Sequence, residues 1–334
     1  GNDGNRGTRE KPFATINRAA EAAVPGSTVH VAPGIYRETV RVRTCGTEKE
    51  RIRFISDVRW GARIIDENYE DPLIVYGDYI DITGFEITGN STHGICAGGS
   101  HVWITGNHVY GFARNDWQAT NQGGAGIVTF AWEGYNIHDI HIVGNLVHDI
   151  GPQIFCNFIH GIYTAGDRMH VHNNIIHNTS GYGIHAWHAA NNNVFANNLV
   201  FANRRGGIVL GAGDSPGGVI ADNFIVTNNI IVFNMGIGIS ELGKTGLNNR
   251  FENNLIFGNT EAPVVLQNGI KDKKRLQADP LFVDFKMDGS GDYRLKPVSP
   301  CKGSGTVFGA LSTDFDGNNR TETGAMDIGP WVIA

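Results

Sequence analysis

Tyr163 and His185 occupy the same place in two copies of one short phrase, Gly161-Ile162-Tyr163 and Gly183-Ile184-His185. If the isoleucines point inward, strand alternation sends Tyr163, His185 and Trp187 outward. A phenol beside an imidazole can take up and return a proton, and Arg204 and Arg205 precede the next copy of the phrase, Gly206-Gly207-Ile208. This set suits β-elimination from a uronic acid. A base removes the proton alpha to the carboxylate, a cation holds the developing enolate, and an acid protonates the leaving oxygen. The expected catalytic residues are His185 as base and Tyr163 as acid, or the reverse, with Arg205 at the carboxylate. His160, Trp187, His188, Arg204, Glu241, Lys244 and Trp117 form the expected substrate-binding set, the tryptophans offering flat faces to sugars. The competing reading is a coil surface that binds glycan, or simply decorates the fold, without chemistry.

Twelve of the thirteen histidines lie between residues 93 and 188, so most need a structural explanation rather than a catalytic one. Aligned on Asn145 and Asn174, His141 matches His170 and His148 matches His177, which places each pair about 4.8 Å apart on neighbouring strands. His170-Val171-His172 adds a further imidazole on the same face. Three such rings can hold zinc, but stacked, hydrogen-bonded columns are the plainer reading, and no metal is expected. Cys45, Cys96, Cys156 and Cys301 lack the CxxC spacing of a thiolate zinc site. Either they are buried small hydrophobes or some pair as disulfides, with Cys96–Cys156 the favoured pairing.

The elements that must position these residues announce themselves as a repeat. Thr105-Gly106-Asn107, Val143-Gly144-Asn145, His172-Asn173-Asn174, Ala196-Asn197-Asn198, Thr227-Asn228-Asn229 and Glu252-Asn253-Asn254 recur at spacings of 38, 29, 24, 31 and 25 residues. An irregular period with a short constant kernel indicates a solenoid whose coils carry loops of different length. Gly-Ile steps recur in the same rhythm at Gly94, Gly126, Gly161, Gly183, Gly207 and Gly238. Short apolar strands between Gly and Asn turns predict an all-β chain, folded as a single right-handed parallel β-helix. The Asn column is expected to be structural, its side chains stacking along the axis.

Residues 12–23 carry the helical spacing found in the chain, and a helix there is expected to cover the open first coil. One domain spanning 1–334 is expected, with an N-terminal cap and first coils to residue 73, regular coils over 74–267 and an irregular C-terminal cap over 268–334. Two insertions, 112–124 and 150–159, are expected to wall the strand face that bears Tyr163 and His185.

A net charge of −6 with only 18% charged residues disfavours nucleic acid as a partner. No apolar run approaches the roughly 20 residues needed to span a bilayer, so no membrane insertion is expected. The sequence starts at Gly1 without a leader, which implies an export signal already removed or never included. A monomer acting outside the cell or in the periplasm is expected.

Both ends of the chain resemble known proteins. The opening Gly1-Asn2-Asp3-Gly4-Asn5, Lys11-Pro12-Phe13-Ala14-Thr15-Ile16, Pro25-Gly26-Ser27-Thr28-Val29 and Gly34-Ile35-Tyr36 is similar to that of extracellular β-helix proteins, family-nine pectate lyases among them. Ala278-Asp279-Pro280-Leu281-Phe282 and Gly291-Asp292-Tyr293-Arg294-Leu295 look like the closing segment of the same group. The resemblance implies the fold and a polysaccharide or oligosaccharide partner. It would also imply a lysine base and an Asp-rich calcium site, yet no lysine occurs from 50 to 243 and no tight Asp cluster lies there. Ca2+ enters only as a candidate at Asp314-Phe315-Asp316-Gly317-Asn318, where Ala325 replaces the final Glu of a calcium loop, and a turn is the expected reading. The leading function is a lyase on an acidic polysaccharide. A uronan epimerase shares its first step, and a non-catalytic glycan-binding protein shares its surface. A glycoside hydrolase needs two converging carboxyl groups, for which Asp116, Asp167, Asp214 and Glu241 are the suppliers.

Overall fold

In a computed structural model, residues 1–66, 68, 70–113, 123–130, 136–188, 190–213, 219–321 and 323–333 are described. Each repeat of the sequence supplies one turn of a right-handed coil made of three short strands. Stacked turns give three parallel sheets of nine strands each. Coiling starts at Thr28–Val31, and the first strands pair in the same parallel register as the later ones.

The Asn phrase makes the corner between the first and second sheets. Its first position adopts positive φ, filled by Gly106 and Gly144 and then by Asn173, Asn197, Asn228 and Asn253. Gly and Asn are the residues that tolerate this left-handed backbone. The second position builds the expected ladder. Asn145 donates from its backbone N–H and from Nδ2 to Asn174 Oδ1 at 2.9 and 3.0 Å, and Asn174 does the same to Asn198 at 3.0 Å. All six ladder residues from Asn107 to Asn254 are buried. A second ladder, Asn203 to Asn234 to Asn259, runs beside the first.

The Gly-Ile step lies in the third sheet. Ile95, Ile127, Ile162, Ile184, Ile208 and Ile239 are all fully buried in the bore of the coil. The preceding glycine is required by close approach: a Cβ on Gly161 would lie 2.3 Å from Ile176 Cγ2, and one on Gly183 would lie 2.3 Å from Val200 Cγ1. The residues on either side of each step therefore face outward in columns, in register from coil to coil.

The helix is shorter than its apolar spacing suggests, Ile16–Ala22, because Thr15 is the N-cap and accepts from the Arg18 N–H. Asp3 holds Ala14 and Thr15 by their backbone N–H groups, so residues 12–14 belong to a turn. Ile16 and Ala20 pack into the core, covering the first coil.

The C-terminal segment does more than close the last coil. Phe282, Tyr293, Leu295, Cys301 and Ile328 lie along the outer face of the second sheet, against Ile175, Leu199, Phe201, Ile230 and Leu255. Outward positions of that sheet include His108, Tyr110 and His148 in the early coils and, apart from His177, become apolar from Ile175 onward. Apolar outward columns must be covered, and the returning chain covers them.

Candidate functional site

Each Gly-Ile step is flanked by two outward residues, and the six steps give a two-column surface. One column reads His93, Ala125, His160, Tyr182 and Gly206, the other Cys96, Val128, Tyr163, His185, Val209 and Ser240. Tyr163 and His185 are register partners on adjacent strands, with ring centroids 5.1 Å apart in a T-shaped pair. Small residues above and below them leave a cavity of about 810 Å³. Tyr163, His185, His160, Trp187, His188 and Arg205 line it together, with Asn157 and Phe158 from the 150–159 insertion and Gly123 and Gly124 from the other. A larger cavity of about 1010 Å³ lies beneath the N-terminal segment. Its lining is mainly packing residues such as Phe13, Ile16 and Val29, and its His30 is already paired with Asp57 at 2.8 Å. Chemistry therefore concentrates in the smaller one.

The imidazoles are ordered by one backbone donor. The Tyr182 N–H points at His160 Nδ1 from 3.4 Å, and His160 Nε2 lies 2.9 Å from His185 Nδ1. Burial lowers the His160 pKa to about 3, so its ring is neutral. With Nδ1 accepting, the His160 proton sits on Nε2 and is donated to His185 Nδ1. Burial also holds His185 well below the ordinary histidine value, with His160 and His188 adding to the effect. A neutral His185 whose Nδ1 accepts must carry its own proton on Nε2. That Nε2 is buried and has no hydrogen-bond partner among the described residues. The cavity wall thus contains an orphaned N–H donor, which a ligand oxygen would satisfy.

As the expected base, His185 would have to take up a proton at its working pH. A ring buried between His160, Tyr163 and Tyr182 cannot hold a proton there at mildly acid pH.

Arg205 sits at the cavity edge, stacked on Phe155 and Tyr182 with its Cζ 5.1 and 5.5 Å from the ring centroids. Its Nε donates to Asn157 Oδ1 at 3.1 Å, and its terminal amino groups have no protein acceptor among the described residues. Trp187 lies across the next coils, where only glycine fits: a Cβ on Gly211 would meet its ring at 2.6 Å and one on Gly243 at 3.1 Å.

Other expected residues fall elsewhere. Glu241 is a correction: it is two residues after the inward Ile239, so it too points inward, 1% exposed, accepting from Asn249 Nδ2 at 2.8 Å and the Gln267 N–H at 2.6 Å. Lys244 is exposed beyond the strand end and does not line the cavity. Arg204 turns away toward Met235 Sδ at 3.9 Å. Trp117, Asp116 and Asp214 lie outside the described residues, and Asp167 pairs with Arg168. All four cysteines are free, which overturns the Cys96–Cys156 pairing; Cys96 bonds to Asp71 instead. His141 and His170 stack at 4.4 Å, and His148 and His177 at 4.8 Å. The Asp314 carboxylate is taken up by Asp316, Asn318 and Val332 N–H groups, as a turn requires. Tyr182, Phe155, Phe158 and Asn157 were not singled out by sequence; Tyr182 was findable, since it precedes Gly183-Ile184 as His160 precedes Gly161-Ile162.

Residues 61–219 and 157–272 match the family model described as right-handed beta helix region. The chain belongs to this β-helix family. Residues 1–43 also match a model described as a protein of unknown function. An uncharacterized protein of Bacillus subtilis (strain 168), YwoF, is 31% identical over 199 residues, covering 54% of this chain and 42% of that protein, so the chain matches less than half of that relative's length. Among solved structures, this β-helix is similar to pectate lyase Pel9A, with a TM-score of 0.64 and 14% identity over 100% of this chain and 94% of that one. It is also similar to the alginate lyase from Paenibacillus sp. str. FPU-7, with a TM-score of 0.54 and 18% identity over 78% and 91% of the two chains. A rhamnogalacturonan lyase follows at 0.51 and 14%, over 86% and 90%. At these identities the likeness concerns the fold. No helix among the described residues is long and apolar enough to cross a membrane.

Proposed function

We propose that this β-helix is a secreted carbohydrate-active enzyme, a lyase that cleaves an acidic polysaccharide by β-elimination in the cavity of Tyr163, His185 and Arg205. The observation that carries the reading is the meeting of a phenol, an orphaned imidazole N–H and an arginine in one cavity, with no carboxylate in its lining among the described residues. Three structures of similar fold carry lyase names for pectate, alginate and rhamnogalacturonan.

The proton positions favour one division of labour. Tyr163, as phenolate, removes the proton alpha to the uronate carboxylate. The electron pair forms the new carbon–carbon double bond, the glycosidic carbon–oxygen bond breaks, and Tyr163 returns its proton to the leaving oxygen. His185 Nε2–H donates to the carboxylate as enolate charge develops, and Arg205 supplies the counter-charge. His185 acts as donor rather than base because its only free lone pair faces His160. His160 fixes that tautomer and Trp187 offers a sugar-stacking face. A hydrolase would need two carboxyl groups on the cavity.

Incubation with a panel of uronate-containing polysaccharides tests this. New ultraviolet absorbance from unsaturated sugar ends supports a lyase, whereas new reducing ends without absorbance mean a hydrolase. Isomerised uronate without cleavage means an epimerase, and binding without product means a glycan-binding protein.

A further inference from the structure

Two coils before Tyr163, the outward columns that carry Tyr163 and His185 hold His93 and Cys96. Asp71, just ahead of the strand Leu73–Val75 on the preceding coil, reaches both. Its Oδ2 lies 3.2 Å from His93 Nδ1 and 3.1 Å from Cys96 Sγ, and its Oδ1 is held by the His93 N–H at 3.0 Å. One carboxylate oxygen, one imidazole nitrogen and one sulfur thus converge within 4.8 Å of one another. Tetrahedral zinc bonds of about 2.0–2.3 Å place such atoms roughly 3.3–3.6 Å apart, so the two Asp71 contacts need to open by only a few tenths of an ångström, and His93 Nδ1 and Cys96 Sγ already lie within 4.8 Å of each other.

The geometry points to a binding site for a zinc-class divalent cation, held by Asp71, His93 and Cys96 at the edge of the cavity. Sulfur and imidazole donors select zinc-like ions over calcium or magnesium, which prefer all-oxygen shells. The three ligands sit on paired strands of the third sheet or next to them, and the Asp71 carboxylate is oriented by a backbone N–H, as outer-sphere partners orient metal ligands. His93 itself lines the cavity, which leaves a fourth position for water or for an acidic group of a bound molecule. The second cluster of this kind, His101, His138 and Asp139, differs in a decisive way: Arg168 occupies both Asp139 oxygens at 2.9 Å. Among the described residues, no Lys or Arg pairs with Asp71.

Without the ion, Cys96 S–H and His93 Nδ1–H both donate to Asp71. Binding expels the thiol proton and moves the His93 proton to Nε2, a net release of one proton. The site is independent of the reaction assigned to Tyr163 and His185, since its readout needs no substrate.

Cobalt(II) is the probe. Chelator-stripped protein in a Cys45→Ser background, which removes the exposed thiol, is titrated with Co2+ and followed by absorbance. One equivalent should be taken up, with a thiolate-to-cobalt charge-transfer band that Zn2+ abolishes and Ca2+ does not. Affinity should rise about tenfold per pH unit while the thiol proton is being displaced. Cys96→Ser should lose the band, and His93→Gln, at a partly exposed position, should weaken binding by about tenfold or more. Folded protein that gives no band, a band that survives Cys96→Ser, or unchanged affinity in His93→Gln would each overturn the site.

Discussion

His160 Nε2 lies 2.9 Å from His185 Nδ1, and this contact decides which atom of His185 faces the cavity. His160 is fixed from behind by the Tyr182 N–H, so His185 presents a proton rather than a lone pair. A donor and a base fail differently when replaced. His185→Ala should cost about 10²–10³ in turnover, as the loss of one preorganised donor does. His185→Gln, which keeps an N–H donor, should recover part of that loss. Equal inactivity of both variants in a turnover assay would identify His185 as the base.

The pH profile provides a second check. Burial puts His185 well below 6.5, so no inflection from His185 should appear between pH 5 and 7. An inflection near 6.5 that disappears in His185→Gln would contradict the assignment.

Buried neutral histidines also make the fold acid-sensitive. Burial lowers His160, His172 and His177 to about 3, while the unfolded chain titrates near 6.5. Between those values the unfolded state binds more protons, so stability is full above pH 6.5 and falls as pH drops toward 3. Each such histidine contributes up to about 1.4 kcal/mol per pH unit in that window. Urea unfolding at pH 7.5 and pH 5 should give a lower midpoint at pH 5; an equal or higher midpoint would refute this.

The Asn ladder predicts a stability effect without a functional one. Asn174→Leu leaves the Asn145 N–H and Nδ2 without their Oδ1 acceptor and the Ile142 carbonyl without its Nδ2 donor, while Asn198 Oδ1 keeps the backbone N–H of residue 174. The cost should be roughly 1–3 kcal/mol per orphaned buried group, read as a lower melting temperature. An unchanged melting temperature would show that the ladder carries no stability.

Much of the architecture was legible because a solenoid writes its geometry into local phrases. Gly or Asn before Asn marks a left-handed corner, and Gly before Ile marks a strand with no room for a Cβ, so Tyr163 and His185 could be placed side by side. The second ladder was equally visible, five residues after each of the last three Asn of the first, at Asn203, Asn234 and Asn259. Glu241 was misplaced by ignoring the same alternation that placed Tyr163. The His185 tautomer was not legible, because it depends on a backbone N–H of a residue whose conformation the coil decides. Nor was the Asp71–His93–Cys96 cluster, whose members are gathered by stacking of coils rather than by spacing along the chain. The path of the C-terminal segment followed from outward apolar residues at Ile175, Leu199 and Ile230, a pattern apparent only once inward and outward are known.

Product mass tests the central claim most directly. With a uronate polymer that the protein cleaves, elimination in the Tyr163 cavity predicts oligosaccharides with one end lighter by a water than hydrolysis gives, formed by the wild type. In Tyr163→Phe they should form on the order of a hundredfold or more slowly. Hydrated, full-mass fragments, or light fragments formed at an undiminished rate by Tyr163→Phe, would contradict the account.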